Sequence, residues 1–547
     1  MEANRKMCRK DFIILVVLVI LYSILSFYHL GSMDNPNTFV NNGDFYFEVE
    51  DSEKISKLRY FTGREVEKIS ISYSIDGENY IVLDPIESKY CFAWYDFENF
   101  PKAKKYKIHL NDKSNLGEVA FLDDKGELLS VKAMNTKAQV LIDESKTVAK
   151  EISYLNSTYF DEIYFARTAY EYANELPAYE WVHPPLGKLI MAVPIKIFKM
   201  APFYYRLMGN IAGILMIPVL YIFAKRMFKK TKYAAIASLL LALDGFHFVQ
   251  TRMATVDSFL VLFLLLAFLF MYEYFLLPRE TRLHKKLIKL FLSGLFMGLA
   301  ISVKWTALFG ALALAILFFI HFFKNYNTKE LWKGHGKDII IYCVLFFFII
   351  PVVIYLSCYL LFPNMYYFQT DSFQNIGLIM KNMFSYHSSL KDDHAFYSSW
   401  YTWPIMLKPV WYYVKYAGEL KGTISGFGNP IVWWIGALGM VYMIYKTIRK
   451  EKNAFFLLLT YICMLISYVG ISRGMFLYHY FPAFPFTILA ATYLIKDITE
   501  KTKKNYIYLG ILILVIFFFI YFFPILTGEL TDVNRIERLK WFSTWIF

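Results

Sequence analysis

Two neighbouring carboxylates, Asp161 and Glu162, lie in a polar stretch between hydrophobic segments, and the same stretch contains His183. A carboxylate beside a weakly acidic hydroxyl can accept its proton while the hydroxyl oxygen attacks an electrophilic carbon. Asp161 is therefore predicted to be a general base. For Glu162 two interpretations stay open: it assists Asp161 or the acceptor, or it forms an ion pair with a nearby cation. His183 is followed by Pro184 and Pro185, which restrict the backbone and set its direction.

Other ionisable side chains stand alone at or near the ends of hydrophobic segments. They are Asp244, His247, Arg252, Asp257, Lys304, Arg473 and His479. Ionisable groups beside apolar segments are costly, so their accumulation on one face favours a functional site. For each single residue, snorkelling or structural pairing, for example of Arg252 with Asp257, is an equally open interpretation.

The elements that must position these residues are membrane helices. Of the 547 residues, 57% are hydrophobic and 19% aromatic, and the mean hydropathy is +0.37. Soluble domains contain roughly 45–50% apolar residues, so the composition indicates a polytopic α-helical membrane protein. The net charge of +13 comes from basic clusters between apolar runs, which favours membrane orientation over a nucleic-acid partner. Only Cys91 of the five cysteines falls in a segment predicted to lie outside the membrane on the extracytoplasmic side, which argues against a disulfide framework and a CxxC metal site.

Hydrophobic stretches of suitable length predict about 11 transmembrane helices, because a helix needs about 20 residues to cross the bilayer core. The stretches are 12–30, 204–226, 233–250, 254–277, 287–304, 306–323, 338–362, 430–447, 454–471, 477–495 and 506–524. The boundary near Lys304 is the least distinct. Alternate loops carry four or five Lys or Arg each, whereas the short loops between them carry about one. This asymmetry predicts a cytoplasmic N-terminus, with the carboxylate stretch on the extracytoplasmic face of the cell membrane.

The predicted organisation has seven segments. They are an N-terminal tail with the first helix (1–38), an extracytoplasmic all-β sandwich (39–149), a catalytic first outer loop (150–203), helices 2–7 (204–362), an aromatic outer loop (363–429), helices 8–11 (430–524) and an extracytoplasmic tail (525–547). The sandwich is predicted because residues 69–75 alternate between Ile or Tyr and Ser, after which Asp76-Gly77 supplies a turn.

Aromatic residues outside the helices have two interpretations each. Residues 69–83 resemble discoidin-like carbohydrate-binding modules, so Trp94 and Tyr95 either stack on a sugar or fill the core. The aromatic outer loop either borders a lipid groove or anchors the chain at the interface. Its aromatic residues are Tyr366, Tyr367, Tyr397, Trp400, Trp403, Trp411 and Tyr412. Trp541, Phe542 and Trp545 of the tail are predicted to anchor in the same way.

The motifs around the carboxylates resemble a known family. Asp161-Glu162 followed by His183-Pro184-Pro185-Leu186-Gly187-Lys188 is similar to the first outer loop of the protein O-mannosyltransferases, glycosyltransferase family 39. Further motifs follow in the family's order: Tyr205-Arg206-Leu207, 243–252 with Asp257-Ser258, 302–305, Tyr386-His387, 400–404, 428–430 with Trp433-Trp434, and 473–482. The resemblance covers roughly 150–500 and implies a GT-C type glycosyltransferase fold.

The resemblance implies inverting transfer of mannose from polyprenyl-phosphate-mannose to Ser or Thr hydroxyls of secreted or membrane proteins. A phosphate leaving group needs no proton donor, because cations can meet its departing charge. Candidates for the donor phosphate and lipid are Arg206, Lys188, Lys304, Arg473, Tyr478, His479 and Tyr480. Candidates for the sugar, the acceptor or loop positioning are His183, Asp244, His247, Arg252 and Asp257. No cofactor and no metal are expected; membrane lipids are expected partners and nucleic acid is not.

The sequence departs from the family in two places. Segment 363–429 is too short for the sugar-binding β-trefoil module of eukaryotic members, and the β domain at 39–149 lies where members usually have none. Alternatives therefore stay open. They are a related transferase that modifies a lipid or cell-wall glycan, as aminoarabinose transferases do, a transporter or flippase, and a non-catalytic carbohydrate-sensing receptor.

Overall fold

The computed structural model describes residues 7–326, 335–360, 372–389, 394–471 and 473–547. Contacts divide the chain into two units. The β unit comprises His29–Asn174 and Met191–Leu207, and the helical unit comprises Met1–Tyr28, Glu175–Ile190 and Met208–Phe547.

The β unit contains a seven-stranded antiparallel sheet. Its strands are β1 (Val40–Val49), β2 (Lys57–Thr62), β3 (Ser70–Ser74), β4 (Ile81–Val82), β5 (Trp94–Phe97), β6 (Lys105–Leu122) and β7 (Val131–Ala133), followed by helices α2 (Thr136–Gln139) and α3 (Glu162–Ala173). The order is β4-β3-β6-β1-β7, with β2 paired to β6 and β5. The predicted all-β character is confirmed, and the strands form one hydrogen-bonded sheet.

Strand β6 connects the two arms of that sheet. Its first half pairs with β1 and β3, and its second half pairs with β2. Both halves contribute to one hydrophobic core, because Tyr106 and Ile108 lie in the same cluster as Val119 and Phe121. These two apolar runs are thus parts of one 18-residue strand. Trp94 is buried in this unit, which favours the interpretation as a core residue over sugar stacking.

Most of the helices lie in the helical unit. They are α1 (Arg9–Phe27), α6 (Thr231–Ala242), α7 (Gly245–Arg252), α8 (Asp257–Phe275), α9 (Leu283–Val303), α10 (Ala307–Asn325), α11 (Gly336–Val344), α12 (Ile350–Leu360), α13 (Ser372–Ser389), α14 (Pro430–Ile448), α15 (Lys452–Ile466), α16 (Phe484–Thr502), α17 (Tyr506–Phe522), α18 (Pro524–Thr527) and α19 (Val533–Glu537). Helices α4 (Leu186–Ile197) and α5 (Pro202–Phe228) contribute residues to both units. A π-helical turn joins α11 to α12.

Among the described residues, seven helices are long and apolar enough to cross a membrane, or eight if the bent pair α6 and α7 forms one span. The chain is therefore a multipass membrane protein, although the predicted 11 spans exceed this number. Helix α15 ends at Ile466, so it is shorter than the predicted 454–471, and α17 is also short. Helix α16 begins only at Phe484 and carries charged residues towards its end, so it does not match the predicted 477–495. The indistinct boundary at Lys304 is a real break between α9 and α10.

The aromatic outer loop and the tail form a small sheet. Strands β8 (Val410–Ala417), β9 (Leu420–Gly426) and β10 (Thr531–Asp532) pair in the order β10-β9-β8. Trp545 is buried and packs against Phe427, so this tail residue belongs to the protein core. The predicted loop residues Tyr366 and Tyr367 lie outside the described residues.

Candidate functional site

Asp161 lies in the β unit at the start of α3. Phe160 has a φ of +50° and turns the chain into the helix. The Asp161 carbonyl then accepts hydrogen bonds from the N–H groups of Tyr164 and Phe165, at 3.0 and 3.1 Å. The Asp161 side chain is only partly buried. A helix N-terminus stabilises negative charge, so this position is a favourable one for a carboxylate.

Unlike Asp161, Glu162 is fully buried, and it is paired with Arg206. Arg206 Nε and Nη2 donate to the two Glu162 carboxylate oxygens, each at 2.7 Å. The remaining N–H groups of Arg206 donate to the carbonyls of Leu30, Tyr154 and Ser157. All five guanidinium donors are thereby engaged. The structure therefore favours the ion-pair interpretation of Glu162 and corrects the prediction that Arg206 binds the donor phosphate.

In the helical unit, Lys188 is also engaged. Its Nζ donates to the Glu180 carbonyl at 2.7 Å, to the His183 carbonyl at 2.9 Å and to the Glu180 carboxylate. An ammonium group has three donors, so Lys188 is saturated and fully buried. The prediction that it binds phosphate is corrected, because it fixes the turn that carries His183.

Glu180 holds this turn together from the other side. His183 Nδ1 donates to Glu180 Oε1 at 2.7 Å. Burial raises the pKa of Glu180, but Lys188 and His183 outweigh burial and hold it at about 2. Burial lowers the pKa of His183, against the opposing effect of Glu180. The turn therefore holds the His183 imidazole in an orientation that is set by the Glu180 carboxylate.

His387 connects the same turn to Arg473. His387 Nε2 donates to the Val182 carbonyl at 2.8 Å, which leaves Nδ1 as an acceptor for Arg473 Nη1 at 3.3 Å. The rings of His183 and His387 meet edge to face with centroids 5.6 Å apart. Burial, followed by the charge of His183, lowers the pKa of His387 to about 4. A neutral His387 thus orients one Arg473 N–H and leaves the rest of the guanidinium for another anion.

Lys304 lies in the break between α9 and α10. Its Nζ donates to Asp257 Oδ1 at 2.9 Å and lies 5.6 Å from the centre of the Tyr478 ring. The prediction that Asp257 pairs with Arg252 is corrected by this contact. One acceptor leaves further ammonium N–H groups for a ligand.

The charges of both Lys304 and Arg473 act on His479. Burial lowers its pKa well below the usual range, and the charges of Lys304 and Arg473 act in the same direction. Its ring stacks on Tyr478 at 4.6 Å and lies parallel to Trp403 at 6.0 Å. The helical unit thus combines two cations, neutral imidazoles and aromatic rings, which is an arrangement suited to an anionic lipid headgroup.

The other predicted residues make structural contacts. Asp244 is buried, caps α7 through the His247 N–H, and accepts hydrogen bonds from the Asn429 N–H and Trp433 Nε1. His247 Nδ1 contacts the Tyr22 hydroxyl at 3.0 Å. We assign this group to helix packing.

Arg252 and Tyr480 are also placed among protein partners. Arg252 donates to the carbonyls of Ser26 and Tyr28. Tyr480 is fully buried, and its hydroxyl contacts Tyr461 and Thr487. The predicted role of Tyr480 in phosphate or lipid binding is corrected, because its hydroxyl faces the core.

Residues that the sequence-based prediction missed support the ones it found. Glu180 stands three residues before His183 and eight before Lys188, a spacing that signals a local carboxylate partner. His387 belongs to the Tyr386-His387 motif, for which the sequence predicts no role. Trp403 carried only a general aromatic signal, and its position beside His479 depends on tertiary packing.

Metal-ligand geometry is found elsewhere. Within the described ranges, His, Cys and carboxylate groups with suitable mutual distances occur at Glu118, Asp143 and Glu144. No predicted site residue belongs to this group.

Two models of known protein families match this chain. A family model described as dolichyl-phosphate-mannose-protein mannosyltransferase matches residues 194–367. A second, described as the C-terminal four TMM region of protein-O-mannosyltransferase, matches residues 372–545. Together they cover most of the helical unit.

Relatives and a solved structure give the same result. The chain is 26% identical over 449 residues to the polyprenol-phosphate-mannose–protein mannosyltransferase of Mycolicibacterium smegmatis, which covers 71% of this chain and 87% of the relative. The protein of the same name from Mycobacterium tuberculosis is 24% identical over 455 residues, or 71% of this chain and 86% of the relative. The Saccharomyces cerevisiae Pmt1–Pmt2 complex bound to the sugar donor is similar in structure, with a TM-score of 0.64, 14% identity, and coverage of 71% of this chain and 89% of that chain. This likeness confirms the predicted GT-C type fold.

Proposed function

The chain belongs to the protein O-mannosyltransferase family, and on that premise we propose that it moves mannose from a polyprenyl-phosphate donor to Ser or Thr hydroxyls of exported proteins. The observation that carries the proposal is the state of its cations. Of the four predicted phosphate-binding cations, Arg206 and Lys188 are saturated by protein acceptors. Within the part of the chain that the structure describes, Lys304 and Arg473 each retain N–H donors, beside a neutral His479.

Lys304 and Arg473 bind the donor phosphate in this proposal. The donor is a phosphodiester with one negative charge, and the departing polyprenyl phosphate gains a second. Two cations that are already fixed by Asp257 and His387 meet this charge as it develops, without reorganising. Because the two cations bind the phosphate more strongly as its charge grows, they stabilise the transition state more than the ground state and so lower the barrier.

Asp161 is the general base. The acceptor hydroxyl oxygen attacks the anomeric carbon and forms the new C–O bond, while the bond from that carbon to the phosphate oxygen breaks. The hydroxyl proton goes to the Asp161 carboxylate, and the electron pair leaves with the phosphate. A single displacement of this kind inverts the anomeric configuration. The partly exposed position of Asp161 at the start of α3 supports this role.

We further propose the setting in which this reaction occurs. The distribution of basic loops supports a cytoplasmic N-terminus and a position of Asp161 on the extracytoplasmic face of the cell membrane. Membrane lipids surround the helices. Transfer needs no divalent metal, because Lys304 and Arg473 supply the positive charge.

A reconstituted assay tests the proposal. Purified protein is incubated with polyprenyl-phosphate-mannose and a Ser/Thr-rich peptide, with the same peptide carrying Ala at every Ser and Thr as the acceptor control. We expect mannosylation by the wild type and a loss of about 100-fold or more in Asp161→Asn. Asp112→Asn, an exposed carboxylate of the β unit, is the matched control and should keep full activity. No transfer by the wild type would overturn the proposal, and full activity of Asp161→Asn would overturn the base assignment.

A further inference from the structure

Glu118 is a buried carboxylate that no cation of the described ranges pairs with. It lies in β6 and is fully closed to solvent, and no hydrogen-bond donor from those ranges reaches its Oε1. Its Oε2 accepts one hydrogen bond, from the Glu144 N–H at 3.1 Å. The charged groups that act on it are the carboxylates of Asp143 and Glu144. A buried, unpaired carboxylate is costly, so this position requires an explanation.

The geometry of the three carboxylates supplies one. Ligand oxygens of Glu118, Asp143 and Glu144 all lie within 4.8 Å of one another. Oxygens that surround one Ca²⁺ ion at about 2.3–2.6 Å are separated by at most about 5 Å, so the three groups fit a single coordination sphere. We propose that Glu118, Asp143 and Glu144 bind one Ca²⁺ ion in the β unit.

The local fold holds two of these ligands in place. Glu144 Oε2 accepts hydrogen bonds from Thr38 N and Oγ1, at 3.0 and 2.6 Å, and from Asn37 N at 2.9 Å. Its Oε1 receives only a longer contact of 3.2 Å from Asn37 N, and it retains acceptor capacity. The Val119 N–H donates to the Leu141 carbonyl at 2.7 Å, which holds β6 against the segment before Asp143. The ion would therefore connect the segment before β1, strand β6 and the segment that follows α2.

The chemistry of the donors selects the ion. All three ligands are hard carboxylate oxygens, and no histidine or cysteine belongs to the described cluster. Such donors favour Ca²⁺ or Mg²⁺ over transition metals. Irregular, partly backbone-anchored carboxylates suit the flexible coordination of Ca²⁺ better than the octahedron that Mg²⁺ demands. Asp143 is exposed and provides access from solvent.

Electrostatics agree with this assignment. Burial raises the pKa of Glu118, and Asp143 and Glu144 raise it further, to about 8 against the opposing Glu144 hydrogen bond. A divalent cation relieves this repulsion and fills the coordination of Oε1. A proton on Glu118 is the competing way to relieve it, and it predicts a different response to substitution.

Calorimetry on the full-length protein tests the proposal. The protein is kept in a nonionic detergent free of anionic lipid, treated with a chelator, desalted and titrated with CaCl₂. We expect one Ca²⁺ per chain, with a Kd of about 10⁻³ M or tighter, and a rise in the thermal midpoint. Asp143→Asn should weaken binding by about tenfold or more, because fewer charged ligands lower affinity. The control Asp112→Asn should bind as the wild type does.

Several other outcomes would contradict the proposed calcium site. No Ca²⁺ heat in the wild type, or equal affinity in Asp143→Asn, excludes the proposed ligands. Glu118→Gln should abolish binding and should not raise the thermal midpoint of the metal-free protein above that of calcium-loaded wild type. A more stable, cation-insensitive Glu118→Gln protein would show a protonated Glu118 instead. A stronger response to MgCl₂ than to CaCl₂ would overturn the choice of ion.

Discussion

The guanidinium of Arg206 and the carboxylate of Glu162 form a buried, two-pronged ion pair, with both N–O distances at 2.7 Å. Asp161, the residue immediately before Glu162, is partly exposed. Two adjacent carboxylates thus differ in their surroundings: Asp161, the proposed base, is partly exposed, and Glu162 holds the first turn of α3 to α5.

Removing one partner of that pair should destabilise the protein without a direct effect on chemistry. Glu162→Gln leaves a buried guanidinium without its counter-charge, which typically costs about 3–5 kcal/mol. We expect a clearly lower thermal midpoint by intrinsic fluorescence. Asp161→Asn is the neighbouring control and should lose activity while keeping the midpoint. A stable but inactive Glu162→Gln protein would instead give Glu162 a catalytic role.

Lys188 and Glu180 should behave as one unit. Both are buried, so Lys188→Met and Glu180→Met should each be strongly destabilising, whereas the double variant should be much less so than their sum. Thermal unfolding of the four proteins gives the coupling energy. Lys540→Met, which breaks the solvent-exposed pair with Glu537, should change stability by less than about 1 kcal/mol. Additive effects at Lys188 and Glu180 would contradict the pairing.

His387 should control donor affinity through Arg473. His387→Asn removes the acceptor that orients the guanidinium, and a hydrogen bond to a charged group contributes about 1.5–3 kcal/mol. We expect KM for polyprenyl-phosphate-mannose to rise about tenfold or more, with a smaller change in kcat. His284→Asn, an exposed histidine, is the control. A loss confined to kcat would exclude this positioning role.

The buried histidine should also make stability depend on pH. Burial, and then the charge of His183, lowers the pKa of His387 from 6.5 to about 4. Because the unfolded chain binds this proton first, stability is fully present above pH 6.5 and is lost as pH falls towards 4. The thermal midpoint of the wild type should fall from pH 6.5 to 4.5, and the slope should be smaller in His387→Asn. His183 and His479 keep part of the slope, since their pKa values are lowered too. An unchanged slope in the variant would exclude His387 as a contributor.

A chelator should separate catalysis from the proposed calcium site. EDTA should leave the initial transfer rate unchanged, because in the proposed mechanism Lys304 and Arg473, and not a metal, meet the phosphate charge. It should lower the thermal midpoint of the wild type, and not that of Asp143→Asn. A rate that falls with EDTA and returns with Mg²⁺ or Mn²⁺, at constant midpoint, would contradict metal-free transfer.

The sequence by itself determined the membrane character, the all-β segment and the family. These features depend on local patterns: apolar runs produce helices, alternation at 69–75 produces a strand, and ordered motifs such as 183–188 can be recognised from the order of their residues alone. The sequence was less reliable about the number of spans, because α15 and α16 end or begin where loops continue an apolar run.

Only the tertiary structure decided which charges are available. In the sequence, Arg206, Lys188, Lys304 and Arg473 are four equivalent cations. Among the described residues of the fold, Arg206 and Lys188 donate every side-chain N–H to a protein acceptor, whereas Lys304 and Arg473 do not. Partners such as Glu162 and Arg206 are 44 positions apart, so their pairing depends on how helices pack and not on local pattern. The physical reason is desolvation: a buried charge must find a partner, and packing alone determines which partner is within reach.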